Sequence, residues 1–127
     1  MMLLLDTSAI IDLLNGTDRG RHVQLIIGTK TCAITTISIN EVLIGAKGKQ
    51  RPIAEAFLNS LQVLPFDTAS AYQSVTVEEN LKSNLIGKLD MMIAAVGLAH
   101  NLPILTCDND FKRIQGLQTI VVENSTE

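Results

Sequence analysis

An α/β fold built on a parallel sheet of about five strands is what this sequence predicts, and three observations predict it. Short apolar runs of four or five residues recur along the chain, longer helical patterns separate them, and acidic residues stand where two of the runs end. Parallel strands joined through helices make right-handed crossovers, which place helices on both faces of the sheet. At 127 residues and 46% hydrophobic content, the chain fills one domain, residues 1–127, and has enough apolar side chain for a core. With no Trp, one Tyr and three Phe, that core is aliphatic, and a base-stacking platform is not expected.

The first strand, residues 2–5, runs straight into Asp6-Thr7-Ser8, which opens a helix over 8–15 stopped by Gly16. A helix over 19–27 ends at Gly28, and the second strand covers 31–34. Ser38-x-x-Glu41 has the form of a capping box, so the next helix is expected over 39–47 with Gly48 as its stop. Pro52 suits the first turn of a helix over 52–61. A third strand over 62–66 leads to Asp67, which suits the cap of a helix over 68–83. The helix expected over 89–101 is the most apolar in the chain, and Asp90 is the one charge between Leu89 and Ala99. Pro103 fits the first position of a fourth strand, 103–106, and residues 119–122 form the last.

The N-terminal Met1-Met2-Leu3-Leu4-Leu5 has no basic start and meets Asp6 too soon for a signal-peptide core or a membrane span. A cytoplasmic protein with no membrane attachment is therefore expected. Cys32 and Cys107 show no disulfide framework, and with His22 and His100 they show no zinc spacing.

In open α/β sheets, ligands bind beyond the carboxyl ends of the strands where the strand order reverses, in the commonest winding between the first strand and the fourth. Those two strands lead to Asp6 and Asp108. Each acid also has a plain structural reading. Asp6 can cap a helix, Glu41 can complete the capping box, Asp90 can complement a helix dipole, and Asp108 can sit in a turn. Gathered at one edge, however, carboxylates repel one another unless protons or divalent cations compensate, and an oxygen-only donor set favours Mg²⁺ or Mn²⁺ over zinc.

Four segments together resemble the PIN-domain ribonucleases, and among them the VapC-type toxins of bacterial and archaeal toxin–antitoxin pairs. They are Asp6-Thr7-Ser8-Ala9, Ser38-Ile39-Asn40-Glu41-Val42, Leu89-Asp90 opening an Ala-rich helix, and Thr106-Cys107-Asp108-Asn109-Asp110-Phe111. The resemblance spans nearly the whole chain and departs from many relatives in having Met91 rather than Ala after the third acid. It implies a PIN-like three-layer sandwich and a catalytic, metal-binding quartet of Asp6, Glu41, Asp90 and Asp108, with Ser8 as an accessory polar residue and Asp110 as an outer or alternative ligand. It also implies Mg²⁺ or Mn²⁺ as cofactor and an RNA substrate cut by water to leave a 5′-phosphate and a 3′-hydroxyl. The partners it implies are a second copy in a homodimer and a cognate antitoxin whose tail covers the active site.

A net charge of −3 looks unfavourable for a polyanion substrate. Of thirteen acids, setting aside the four of the quartet leaves nine against ten Lys and Arg, a balance of +1. Phosphate contacts are then expected from Lys47, Lys49 and Arg51, from Arg19 and Arg21, or from Lys82 and Lys88. A His-based ribonuclease fits poorly, because neither His22 nor His100 adjoins a motif. Three other readings compete. A receiver-type signalling domain wants paired acids after its first strand, and a dehalogenase-type phosphatase wants a second Asp two residues after Asp6; the chain has neither. The third is a PIN-like module that binds RNA or protein without cutting it.

Overall fold

In the computed structural model, residues 2–123 are described and form a five-stranded, wholly parallel sheet in the order β3-β2-β1-β4-β5. The strands are β1 (Met2–Leu5), β2 (Thr31–Thr35), β3 (Gln62–Leu64), β4 (Ile104–Thr106) and β5 (Thr119–Val121). Six α-helices connect them: α1 (Thr7–Asn15), α2 (Asp18–Ile27), α3 (Thr36–Gly45), α4 (Gln50–Asn59), α5 (Thr68–Leu81) and α6 (Lys88–Ala99). Every element expected from the sequence is present. An additional one is a short 3₁₀ helix at Asn109–Arg113, in place of the polar turn expected there.

Alternation along the strands divides the core into two layers. Leu3, Leu5, Cys32, Ile34 and Leu105 face a cluster with Ala9, Ile10, Val23, Val42, Ala54 and Leu58, contributed by α1 to α4. Leu4, Ala33 and Ile104 face the opposite cluster, where Val77, Leu81, Ile93, Val96 and Phe111 come from α5, α6 and the 3₁₀ helix. Because β1 is covered on both sides, Leu3, Leu4 and Leu5 are wholly buried, which explains a continuous apolar run in place of an alternating one.

The capping box at Ser38 and Glu41 is not what forms. Strand β2 extends one residue further than expected and passes directly into α3, whose cap is Thr35, with the Ser38 amide donating to Thr35 Oγ1 at 3.1 Å. Ser38 is thus inside the first turn, and Glu41 lies a turn deeper, with its carboxylate released from any capping duty. Helix α3 also ends earlier, at Gly45, before Gly48.

The strand order settles the receiver alternative as well. That fold places its third strand beside the first. Here β3 is an edge strand two places from β1, and Asp67, just beyond it, caps α5 by accepting from the Ser70 amide at 3.0 Å.

Candidate active site

The switch in strand order falls between β1 and β4, where one crossover turns to each side. Asp6 follows β1 immediately, and its amide still donates to the Leu105 carbonyl at 3.1 Å, so its position is set by the sheet itself. Its carboxylate is the N-cap of α1, accepting from the Ala9 amide at 3.0 Å, as the capping reading of this residue expects. Ser8 Oγ donates to the same carboxylate with both oxygens at 2.9 Å, and Thr106 Oγ1 donates to Oδ2 at 2.7 Å. Only 2% of Asp6 is exposed. Burial, partly offset by these hydrogen bonds, raises its pKa from 3.8 to about 6.

Asp108 lies two residues beyond β4 and caps the 3₁₀ helix, accepting from the Asp110 amide at 2.9 Å. Thr106 Oγ1 accepts from the Asp108 amide at 2.9 Å while donating to Asp6, so one buried hydroxyl joins the two strand ends. Ser8 does likewise from the other side, accepting from the Cys107 amide at 3.0 Å.

Asp90 enters from the other helical layer, in the first turn of α6. Its side chain folds back over Gly87, where a Cβ would stand 3.4 Å from Oδ2. Burial first, then the charges of Asp108, Asp6, Glu41 and Asp110, raise its pKa from 3.8 to about 6. Glu41 reaches the same region from α3, where its carboxylate accepts from the Thr7 hydroxyl, itself 2.9 Å from Ser38 Oγ.

The fold therefore brings Asp6, Glu41, Asp90 and Asp108 to one edge, in reach of one another's charge. Among the described residues none of the four has a Lys or Arg partner within ion-pair distance. Nor, among the described residues, do any three acids, His or Cys close around a common point as a preformed metal cage. The donor chemistry fits a hard divalent ion: only carboxylate oxygens, two of them proton-hungry from burial and crowding, and no cation among the described residues paired with them. Asp110 stands differently, because its carboxylate pairs with Arg113 at 3.0 Å.

Sequence reasoning missed Thr7 and Thr106. Both stand inside the quoted motifs, but their roles emerge only in the fold, where Thr7 meets Glu41 across 34 residues of sequence and Thr106 meets Asp6 across 100. The free thiol of Cys107 is pushed up to about 12, by burial first and then by the Asp12 carboxylate beside it. No helix among the described residues is long and apolar enough to cross a membrane.

Comparison with known proteins agrees with this architecture. The PIN domain family profile matches residues 3–117. A ribonuclease VapC of Rickettsia bellii is 33% identical over 139 aligned positions, covering 96% of this chain and 97% of the relative. A tRNA(fMet)-specific endonuclease VapC of Salmonella typhimurium is 26% identical, covering 91% and 93%. Among solved structures, a toxin–antitoxin complex from Klebsiella pneumoniae superposes with a TM-score of 0.78 at 26% identity, covering 94% of this chain and 96% of the matched one. The VapBC2 complex of Rickettsia felis, bound to a promoter DNA fragment, gives 0.79 at 24% identity over 95% and 98%, a likeness of fold.

Proposed function

This chain belongs to the PIN-domain family, among the VapC ribonucleases, and from that premise we propose that Asp6, Glu41, Asp90 and Asp108 are its catalytic and metal-binding residues. The protein is an endoribonuclease, the toxin of a toxin–antitoxin pair, and its partners are RNA and a cognate antitoxin. VapC-type ribonucleases depend on divalent metal; for this chain the proposed ion is Mg²⁺ or Mn²⁺, in a cytoplasmic homodimer. The observation that carries the site assignment is the gathering of four carboxylates, with no ion-pair partner among the described residues, at the point where strand order reverses.

Asp6 is the fixed member, held by an amide and two hydroxyls, while Asp90 and Glu41 approach from two different helices. A divalent ion bound there supplies a lowered pKa for water and charge compensation at the phosphodiester. The surroundings favour water as nucleophile. The Ser8 hydroxyl is committed to Asp6, and the Cys107 thiol stays protonated at neutral pH, so neither nearby side chain is activated for attack. Asp110, neutralised by Arg113, serves as an outer residue.

An apolar groove lined by Ile11, Leu14, Val42, Ala46 and Ile53 runs up to Glu41 and offers the antitoxin tail a seat beside the acids. The experiment is cleavage of unfractionated tRNA and of single-stranded RNA, with and without EDTA, by the wild type and by Asp90→Asn. Metal-dependent cutting that disappears in the variant is expected. Cutting that persists in EDTA overturns the metal mechanism, and binding without cutting on every RNA favours a non-catalytic module.

A further inference from the structure

Five of the chain's cations are paired with half-exposed or exposed carboxylates: Arg21 with Asp18, Arg51 with Glu55, Lys88 with Glu78, Lys112 with Glu123 and Arg113 with Asp110. Pairs of that kind are loose and contribute little. Arg19 differs. Its guanidinium lies 3.3 Å from Asp12 Oδ2, and the Asp12 side chain is only 13% exposed. Asp12 is itself fixed, because Thr17 Oγ1 donates to its other oxygen at 2.9 Å while the Thr17 hydroxyl caps α2 at the Gly20 amide.

This pair adjoins the acidic edge. Asp12 stands beside the Cys107 side chain, the Cys107 amide donates to Ser8 Oγ at 3.0 Å, and Ser8 Oγ reaches Asp6 at 2.9 Å. Cys107 is also the residue before Asp108. A short run of neighbouring groups thus links Arg19 to both strand ends that carry the acids. The guanidinium has five N–H donors, and among the described residues Asp12 is its one partner. Its side chain keeps a third of its surface open. A cation held by a buried carboxylate, with donors unspent and open to solvent, has already given up the rotamer freedom that gripping a phosphate would otherwise cost.

Resting on the ribonuclease reading above, we propose that Arg19, oriented by Asp12, is a positioning residue that grips an RNA backbone phosphate next to the scissile one. It acts on substrate binding and not on the bond-breaking step. Arg21, two residues along the same helix, is turned instead to Asp18 and the Gly16 carbonyl.

The test uses full-length protein and unfractionated tRNA in Mn²⁺, with KM and kcat measured at several salt concentrations and thermal melting measured alongside. Arg19→Gln retains a donor for Asp12 while deleting the charge, so the fold is kept and the grip on phosphate is removed. The expected result is a KM raised about tenfold with kcat within about twofold, and a salt slope shallower by about 0.7 to 0.9, the change produced when one phosphate is no longer neutralised. Arg19→Lys, which restores the charge without the fork, is expected to recover most of the KM. An Arg19→Gln variant with unchanged KM and salt slope overturns the proposal, as does one in which only kcat or only the melting temperature falls. If the wild type itself cuts no RNA, the ribonuclease reading fails first, and the two failures are told apart by that control.

Discussion

Asp6 and Asp90 hold protons in the folded chain up to about pH 6, whereas the same carboxyls in an unfolded chain titrate near 3.8. Between those values the folded state binds more protons than the unfolded one, so metal-free stability falls as pH rises through the window, and the cost is complete above about pH 6. The sign is opposite to that of a salt-bridged carboxylate. Without metal, the melting temperature is therefore expected to be higher near about pH 5 than near about pH 7.5, and Asp90→Asn should flatten that dependence while abolishing cleavage. Asp6→Asn should do the same, since Asn also accepts at an N-cap. Differential scanning across pH with a cleavage assay on the same samples checks both. A variant that stays active and keeps the wild-type pH slope removes its residue from the quartet. Added Mg²⁺ should raise the melting temperature more at the higher pH, where it replaces the missing protons.

Helix α3 shows at the level of elements why one part of the site is legible in the sequence and another is not. Glu41 is readable as a member of the acidic edge, but the reason it is available there, release from capping, depends on β2 running through Thr35. Ser-x-x-Glu and Thr-x-x-Ser overlap in this segment, and only the sheet register decides between them. The two cap assignments predict different mutants. Thr35→Ala removes the acceptor of the Ser38 amide and is expected to cost about 1 kcal/mol of stability. Glu41→Gln leaves that bond alone, so its melting temperature should stay near wild type while activity falls; urea melts and cleavage rates separate the two. The strands and helices themselves are readable because a parallel sheet buried on both faces needs unbroken apolar runs, as in Met2–Leu5. The 3₁₀ helix at Asn109–Arg113 is not, since Asp108-Asn109-Asp110 carries turn chemistry and only the burial of Phe111 tightens it. The crossing of α1 and α2 is equally hidden. A Cβ on Gly20 would lie 2.0 Å from the Asp12 carbonyl oxygen, so Gly20→Ala must push the helices apart at a cost of about 1 to 3 kcal/mol, visible in the same melts.

Taken as a whole, the molecule presents an acidic edge, an apolar groove leading up to it, and a net charge of −3 that becomes +1 once the quartet is set aside. The two states of that edge attract different things. Without an ion, the carboxylates favour an Arg or Lys side chain, which can form charge-assisted hydrogen bonds to them. With an ion, the same oxygens are occupied, and the remaining surface is better suited to RNA. An antitoxin tail that fills the groove lined by Ile11, Val42 and Ile53 and places a basic residue at the acids therefore competes with the metal at one end only. For a tail seated there, apolar burial along the groove would carry most of the affinity and would not depend on the ion. Raising Mn²⁺ is accordingly expected to increase the antitoxin concentration needed for half-inhibition, while the complex still elutes as one species in size-exclusion chromatography. Truncating a groove residue, as in Ile53→Ala, should instead weaken the complex at every metal concentration, because the exposed Ile53 side chain contributes apolar surface rather than charge. Half-inhibition that does not move with Mn²⁺ would place the antitoxin's basic residue away from Asp6, Glu41, Asp90 and Asp108, and inhibition would then rest on steric exclusion of RNA alone.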